Sequence, residues 1–132
     1  MTLSDEERQA IIGYRIERSD ATMNEAEYVC AGGFWNLTAN RLYYATFYIC
    51  EALLLKNKIS SNTHAGVIRM MNLHFVRNGI LSQEDGALLG RLFRMRQTGD
   101  YDDLSDWTGE EIRPMIEVVK SLISKIKGLI EQ

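Results

Sequence analysis

Arg96 interrupts the apolar face of a predicted helix, and an arginine in such a place can pair with a carboxylate or bind an anion. At about 100° per residue the apolar side chains around it form two sets. They are Leu88, Leu92 and Met95 on one side of Arg96, and Leu89 and Phe93 on the other. The wheel therefore predicts that Arg96 points inward, whereas Arg91 and Arg94 lie on the outer face.

An inward guanidinium needs a partner, because burying an unpaired charge is strongly unfavourable. Glu51 and Asp100 are the candidates. Glu51 interrupts an otherwise apolar helix, and Asp100 follows Arg96 by one helical turn. The position predicts either an ion pair that fixes how two helices pack or a contact to an anion such as phosphate.

A second set of chemistry-bearing residues forms a polar and aromatic seam on the preceding apolar helix. Its members are Asn36, Asn40, Tyr44, Phe47 and Glu51, with Arg41 and Tyr48 beside them. These groups either satisfy one another inside a bundle or form a wall for a nucleotide, with rings for stacking and Arg41 for phosphate. We assign Arg41, Tyr44 and His64 as candidate nucleotide-binding residues.

The sequence predicts no metal site and no bound cofactor. His64 and His74 lack cysteine or carboxylate partners at the spacing of a zinc helix. The glycine patterns of a phosphate loop, a dinucleotide fold or a nucleophile elbow are also missing. The candidate chemistry is therefore that of arginine, imidazole, carboxylate and phenol groups.

The elements that must position these residues are helices, since apolar residues recur at three-four spacing throughout. We predict an all-α, antiparallel up-down bundle of about five helices, formed by a single domain of residues 1–132. The predicted helices run from the Ser4 capping box to Gly32–Gly33, from about Phe34 to Asn57, from Thr63 to Asn78–Gly79, from Ser82 toward Gly99, and through the C-terminal segment. Thr108 and Glu111 resemble a capping box for the last helix, but Pro114 would then lie inside it, so its start is left open.

The composition of the chain further limits the classes of function that it could have. The net charge of −3 and the pI of 5.4 leave no overall positive field, so RNA binding would need a local basic patch. No apolar run reaches the roughly 20 residues of a membrane span, and the N-terminus does not resemble a secretion signal. Cys30 and Cys50 lie in apolar helical patterns typical of free thiols. We predict a cytoplasmic protein without a membrane partner.

Several separated blocks of the chain resemble one family. The runs NRLYYATF (40–47), EALLL (51–55), THAGVI (63–68), FVRNG (75–79), LFRMRQ (92–97) and DYD (100–102) occur in this order. Together they resemble the small standalone HEPN proteins. The resemblance covers most of the chain, from about Asn36 to the final helix.

The resemblance implies a helical bundle that commonly forms a homodimer and often pairs with a minimal nucleotidyltransferase in a toxin–antitoxin system. Many HEPN proteins are metal-independent ribonucleases whose motif is an arginine, a short spacer and a histidine. Arg96 matches the arginine, but Asp100 and Tyr101 stand downstream and no histidine follows His74. In some family members a tyrosine just after the motif accepts a nucleotide from the transferase, and Tyr101 lies close to that position.

Three hypotheses follow. The first, which we prefer, is a HEPN-like module of a toxin–antitoxin or nucleotide-handling system that dimerises and binds a nucleotidyltransferase, a nucleotide or RNA. The second is a metal-independent ribonuclease with a non-standard site centred on Arg96, which acts with Asp100, Tyr101 or a residue of a second subunit across a dimer interface. The third is a structural helical adaptor.

Overall fold

The computed structural model describes the backbone of residues 2–101 and 106–132 and the side chains of residues 2–96 and 106–132. These ranges contain helices and no strand, which confirms the predicted all-α class. The helices are α1 (Asp5–Ala31), α2 (Trp35–Lys56), α3 (His64–Met71, continued by a π-helical turn at Asn72–Val76), α4 (Gln83–Tyr101), α5 (Gly109–Ile112) and α6 (Met115–Ile130).

Short polar motifs define where the helices begin and end. Ser4 and Glu7 form the predicted capping box of α1, in which the Ser4 hydroxyl accepts from the Glu7 amide at 3.1 Å. Thr63 caps α3 by accepting from the Gly66 amide at 2.9 Å. Each cap satisfies an amide that has no partner within its helix. Gly79 has a φ of +81°, a left-handed conformation that ends the α3 segment and that glycine adopts without strain.

Pro114 separates two helices, which resolves the start of the C-terminal segment. The Thr108–Glu111 capping box is present, and it begins the single-turn helix α5. Proline lacks an amide hydrogen and clashes with the carbonyl of an earlier turn, so α5 ends before it and α6 begins at Met115. The capping box therefore begins a separate short helix, and the boundary that the sequence pattern left open lies at Pro114.

Helix α2 is the core of the bundle, as its apolar circumference predicts. It packs against each of the other helices, and twelve of its residues are buried. Small residues allow α1 to approach closely: Ser19 is buried, and its hydroxyl donates to the Ala45 carbonyl at 2.7 Å. Helix α2 also contacts both α3 and α4, and α3 contacts α4, so residues of these three helices meet in one place.

No helix in residues 2–101 or 106–132 combines the length and the apolar character needed to cross a bilayer.

Candidate functional site

The side chain of Arg96 points into the interface between α2 and α4. It is partly buried, whereas Arg91 and Arg94 are exposed, which confirms the prediction from the helical wheel. Its Nη2 atom donates to the hydroxyl of Tyr44 at 3.0 Å. The guanidinium carbon lies 5.6 Å from the centre of the Tyr44 ring and 5.9 Å from that of Tyr43. Both distances allow a cation–π attraction.

Glu51 does not supply the partner that the sequence suggested for Arg96. Its carboxylate instead forms an ion pair with Arg15 of α1, with an N–O distance of 3.6 Å. Burial raises the pKa of Glu51 above its ordinary value of 4.5, and the positive charge of Arg15 opposes this shift. The physical reason for the difference is the rotation of α2, which turns Glu51 toward α1. The other candidate, Asp100, has a side chain outside the described residues.

His64 enters the same interface from the first turn of α3. Its Nδ1 atom lies 2.7 Å from the Tyr43 hydroxyl, and its ring stacks on Phe47 with centroids 4.3 Å apart and planes 10° apart. The imidazole is therefore held by one hydrogen bond and one ring face. Burial of the ring, together with the charge of Arg96, lowers the pKa of His64 below its ordinary value of 6.5. The ring is consequently neutral at physiological pH.

Tyr43 connects the imidazole to the guanidinium. Its side chain is buried, with 1% exposure. Burial raises the pKa of the Tyr43 hydroxyl far above its ordinary value of 10, despite the opposing charge of Arg96. The hydroxyl therefore keeps its proton and acts as a neutral hydrogen-bonding group toward His64.

Arg41 of α2 also lies close to Tyr44. Its guanidinium carbon is 5.5 Å from the centre of the Tyr44 ring. Its nitrogens donate to Asn40 Oδ1 at 2.7 and 3.0 Å and to Glu25 at 3.1 Å. Two arginines from different helices thus approach one tyrosine ring. We name the set Arg41, Tyr43, Tyr44, His64 and Arg96 the Arg–Tyr–His cluster.

The remaining members of the predicted seam have other roles. Asn36 accepts from the Trp107 amide at 2.8 Å and donates to Asp106 at 2.9 Å. It holds the segment that leads into α5 against the start of α2. The polar and aromatic seam on α2 therefore does not form one site. Asn36 contacts the α5 segment, Tyr44 contacts α4, and Glu51 contacts α1.

Four of the six predicted site residues come together in the cluster: Arg41, Tyr44, His64 and Arg96. The side chains of the other two, Asp100 and Tyr101, lie outside the described residues. Sequence reasoning missed Tyr43, which carries the link to His64. A signal was present, since a tyrosine on a helix that is mostly buried must find a polar partner for its hydroxyl. The described part of the chain contains no group of three or more histidine, cysteine, aspartate or glutamate side chains arranged to hold a metal ion.

A family comparison identifies the fold. The HEPN domain model matches residues 12–129. This chain belongs to the HEPN family. The match includes the whole Arg–Tyr–His cluster, so the cluster is part of the HEPN domain and not an addition to it.

Relatives of this HEPN chain agree in length as well as in sequence. A Thermotoga maritima protein named as a UPF0332 protein is 33% identical and covers 95% of both chains. Two proteins of Methanocaldococcus jannaschii, each named "Putative toxin", are each 28% identical. The alignment with the first covers 85% of this chain and 76% of the relative. The alignment with the second covers 96% of this chain and 91% of the relative.

Proposed function

We propose that this chain is a single-domain, cytoplasmic HEPN protein of the toxin–antitoxin type that binds RNA through the Arg–Tyr–His cluster. Family membership and the two relatives named as toxins support the toxin-like assignment. The observation that carries the binding proposal is the position of Arg96. Its guanidinium is oriented by Tyr44 and lies beside a neutral imidazole at the junction of three helices.

The chemistry of the cluster suits a phosphodiester. Guanidinium groups donate in a fork that fits phosphate oxygens, and tyrosine and histidine rings offer faces and hydrogen bonds to unstacked bases. Arg41 and Arg96 supply two cations next to Tyr44, although the chain as a whole has a net charge of −3. RNA binding by an acidic protein requires local positive charge, which Arg96 supplies here together with Arg41, whose guanidinium also pairs with Glu25.

Fluorescence anisotropy with a labelled single-stranded RNA tests this proposal. Arg96→Ala should weaken binding by about ten-fold or more, the effect of losing a charge-assisted hydrogen bond. Arg96→Lys should be intermediate because lysine keeps the charge but loses the planar fork. Arg91→Ala is the matched control, since Arg91 is an exposed arginine on the same helix. Unchanged RNA binding by Arg96→Ala would contradict the cluster as the RNA site, and an absence of RNA binding by the wild-type protein would favour the structural adaptor.

A second candidate function is metal-independent RNA cleavage, and one observation favours it. The imidazole missing after Arg96 in sequence is supplied in space by His64, whose Nδ1 is held by Tyr43. Among the described residues Nε2 of His64 has no hydrogen-bond partner, and the side chain is partly exposed, so we assign Nε2 the contact with the substrate. A neutral imidazole can accept a proton at neutral pH.

In this reaction His64 is in the tautomer whose Nδ1–H donates to the Tyr43 oxygen, and its Nε2 takes the proton of a ribose 2′-hydroxyl, whose oxygen attacks the adjacent phosphorus. The bond from phosphorus to the 5′-oxygen breaks, and the leaving oxygen takes a proton from water. The hydroxide that remains takes the proton from His64, which restores the neutral imidazole. The products are a 2′,3′-cyclic phosphate and a 5′-hydroxyl. Arg96 neutralises the negative charge that develops on the phosphoryl oxygens.

Cleavage of the same RNA in the presence of a chelator separates the alternatives. His64→Gln and Arg96→Ala should both abolish cleavage, whereas His74→Gln, an exposed histidine beyond α3, should not. Loss of cleavage in Asp100→Asn or Tyr101→Phe, with activity retained in His64→Gln, would assign the proton acceptor to the end of α4. No cleavage by the wild-type protein would leave RNA binding as the function.

The proposed assembly includes a homodimer and a minimal nucleotidyltransferase partner. Large apolar side chains are exposed along α1 and the start of α2, with Tyr28 82% and Phe34 62% exposed. Such a surface favours association. Sedimentation of the wild type beside Phe34→Ser tests the dimer.

Incubation with a purified transferase and ATP, followed by mass spectrometry of the wild type and Tyr101→Phe, tests nucleotide transfer to Tyr101.

A further inference from the structure

The outer face of α3 and its π-helical continuation forms an apolar groove of about 480 Å³. Its floor consists of Met70, Leu73 and Val76, and Leu73 is 42% exposed. No aromatic ring lines it. The remaining lining residues are Arg69, Asn72 and Arg77. In a monomer these apolar side chains are exposed to water between two cations, which is unfavourable. The groove therefore indicates a contact surface.

The two arginines at the groove have no anionic partner among the side chains of residues 2–96 and 106–132. Arg69 and Arg77 are exposed, and neither forms an ion pair with a described residue. The lysines of α6 differ, because each of three reaches a carboxylate on another helix: Lys120, Lys125 and Lys127. Eight positions separate Arg69 from Arg77, about 12 Å along a helical axis. The groove therefore carries two unneutralised cations about two helical turns apart.

The floor of the groove is held rigidly from behind. The Asn72 side chain donates to the Ile68 carbonyl at 3.1 Å, within the widened turn. Gly86 of α4 lies directly behind this turn, where an added Cβ would come 2.9 Å from Asn72 Oδ1 and 3.0 Å from Val76. The close approach of α4 fixes the π-helical turn, a feature often found at functional sites. A groove that is already formed loses little entropy when it is filled.

We propose that this groove binds an acidic amphipathic helix of a partner protein. The apolar face of such a helix covers Met70, Leu73 and Val76, and its carboxylates pair with Arg69 and Arg77. This occupant matches both properties of the surface, whereas RNA would leave the apolar floor exposed and find no ring to stack on. The groove lies toward the C-terminal end of α3, and His64 lies in the first turn, so the two surfaces are separate.

A synthetic peptide provides the probe: a helix with leucines at i, i+3 and i+7 and glutamates at the flanking positions. Methyl NMR of the full chain should show saturable shifts at Met70, Leu73 and Val76. Leu73→Ser and the double variant Arg69→Glu/Arg77→Glu should each weaken binding by about ten-fold or more. The double variant should in turn bind a peptide with lysines in place of the glutamates. Val118→Ser and Arg91→Glu are the controls, because both residues are exposed and lie outside the groove.

Three results would overturn the proposal. The first is the absence of saturable methyl shifts in the groove. The second is a loss of RNA binding in Arg69→Glu/Arg77→Glu as large as that in Arg96→Ala, which would make these arginines part of the RNA surface. The third is self-association that Leu73→Ser abolishes while the peptide fails to bind, which would make the groove an interface between two copies of the chain.

Discussion

The hydroxyl of Tyr43 lies 2.7 Å from Nδ1 of His64, and this contact joins the core of α2 to the first turn of α3. Tyr43 is buried and His64 is partly exposed, so the hydrogen bond runs from the interior of the bundle to its surface. The bond orients the imidazole beside Arg96. The stability and the chemistry of the cluster therefore depend on this pair.

Tyr43→Phe should lower the free energy of unfolding by about 1 kcal/mol, because a buried hydrogen bond is lost while the ring is retained. Urea denaturation measures the change. Tyr14→Phe is the control: Tyr14 is 56% exposed, and its variant should stay within about 0.5 kcal/mol of the wild type. Equal effects of the two substitutions would show that the Tyr43–His64 hydrogen bond contributes nothing to stability.

His64 should make the protein less stable in mild acid. Its folded-state pKa is below 6.5, so the unfolded chain binds this proton more tightly than the folded protein does. Stability is then reduced below the folded-state pKa and recovers as the pH rises through the window up to about 6.5. Urea midpoints between pH 5 and pH 8 should therefore rise more for the wild type than for His64→Gln. His74→Gln should follow the wild type, and a parallel profile for His64→Gln would refute the assignment.

Glu51→Gln should stabilise the protein at neutral pH, although it removes an ion pair. Burial raises the pKa of Glu51, and Oε1 is buried without a hydrogen bond. The folded protein thus holds this proton more tightly than the unfolded chain, so stability falls as the pH rises from 4.5 through the raised pKa. Between pH 4 and pH 7 the free energy of unfolding of the wild type should fall relative to that of Glu51→Gln, because the contributions of the other titrating groups, His64 among them, are common to both proteins. Glu110→Gln, at an exposed position, is the control; a destabilised Glu51→Gln would mean that the pair with Arg15 dominates.

Asn36→Ala should release the segment before α5 from the start of α2. Two hydrogen bonds, to Asp106 and to the Trp107 amide, would be lost, at a cost of about 1 to 2 kcal/mol. Tryptophan fluorescence should shift to the red as Trp107 becomes more exposed. Asn62→Ala, an exposed asparagine, should leave both the emission and the stability unchanged. An unshifted spectrum in Asn36→Ala would show that other contacts hold Trp107.

The local features of this HEPN protein could be predicted from the chain alone. Capping boxes at Ser4 and Thr108, the turn at Gly79 and the break at Pro114 depend on residues a few positions apart. The inward direction of Arg96 follows from helical periodicity in the same way. These predictions succeed because hydrogen bonds and sterics within one or two turns determine them.

The partners of the inward polar groups were decided only by the tertiary structure. The spacing of apolar residues shows that Glu51 and Arg96 lie on the inner faces of their helices. It does not specify how the helices are rotated against each other. Packing of apolar side chains sets that rotation, which turns Glu51 toward Arg15 and brings His64 of α3 to Tyr43 and Arg96. The sequence by itself therefore determined the helices and the residue types of the site. Only packing between distant helices determined which of those residues meet.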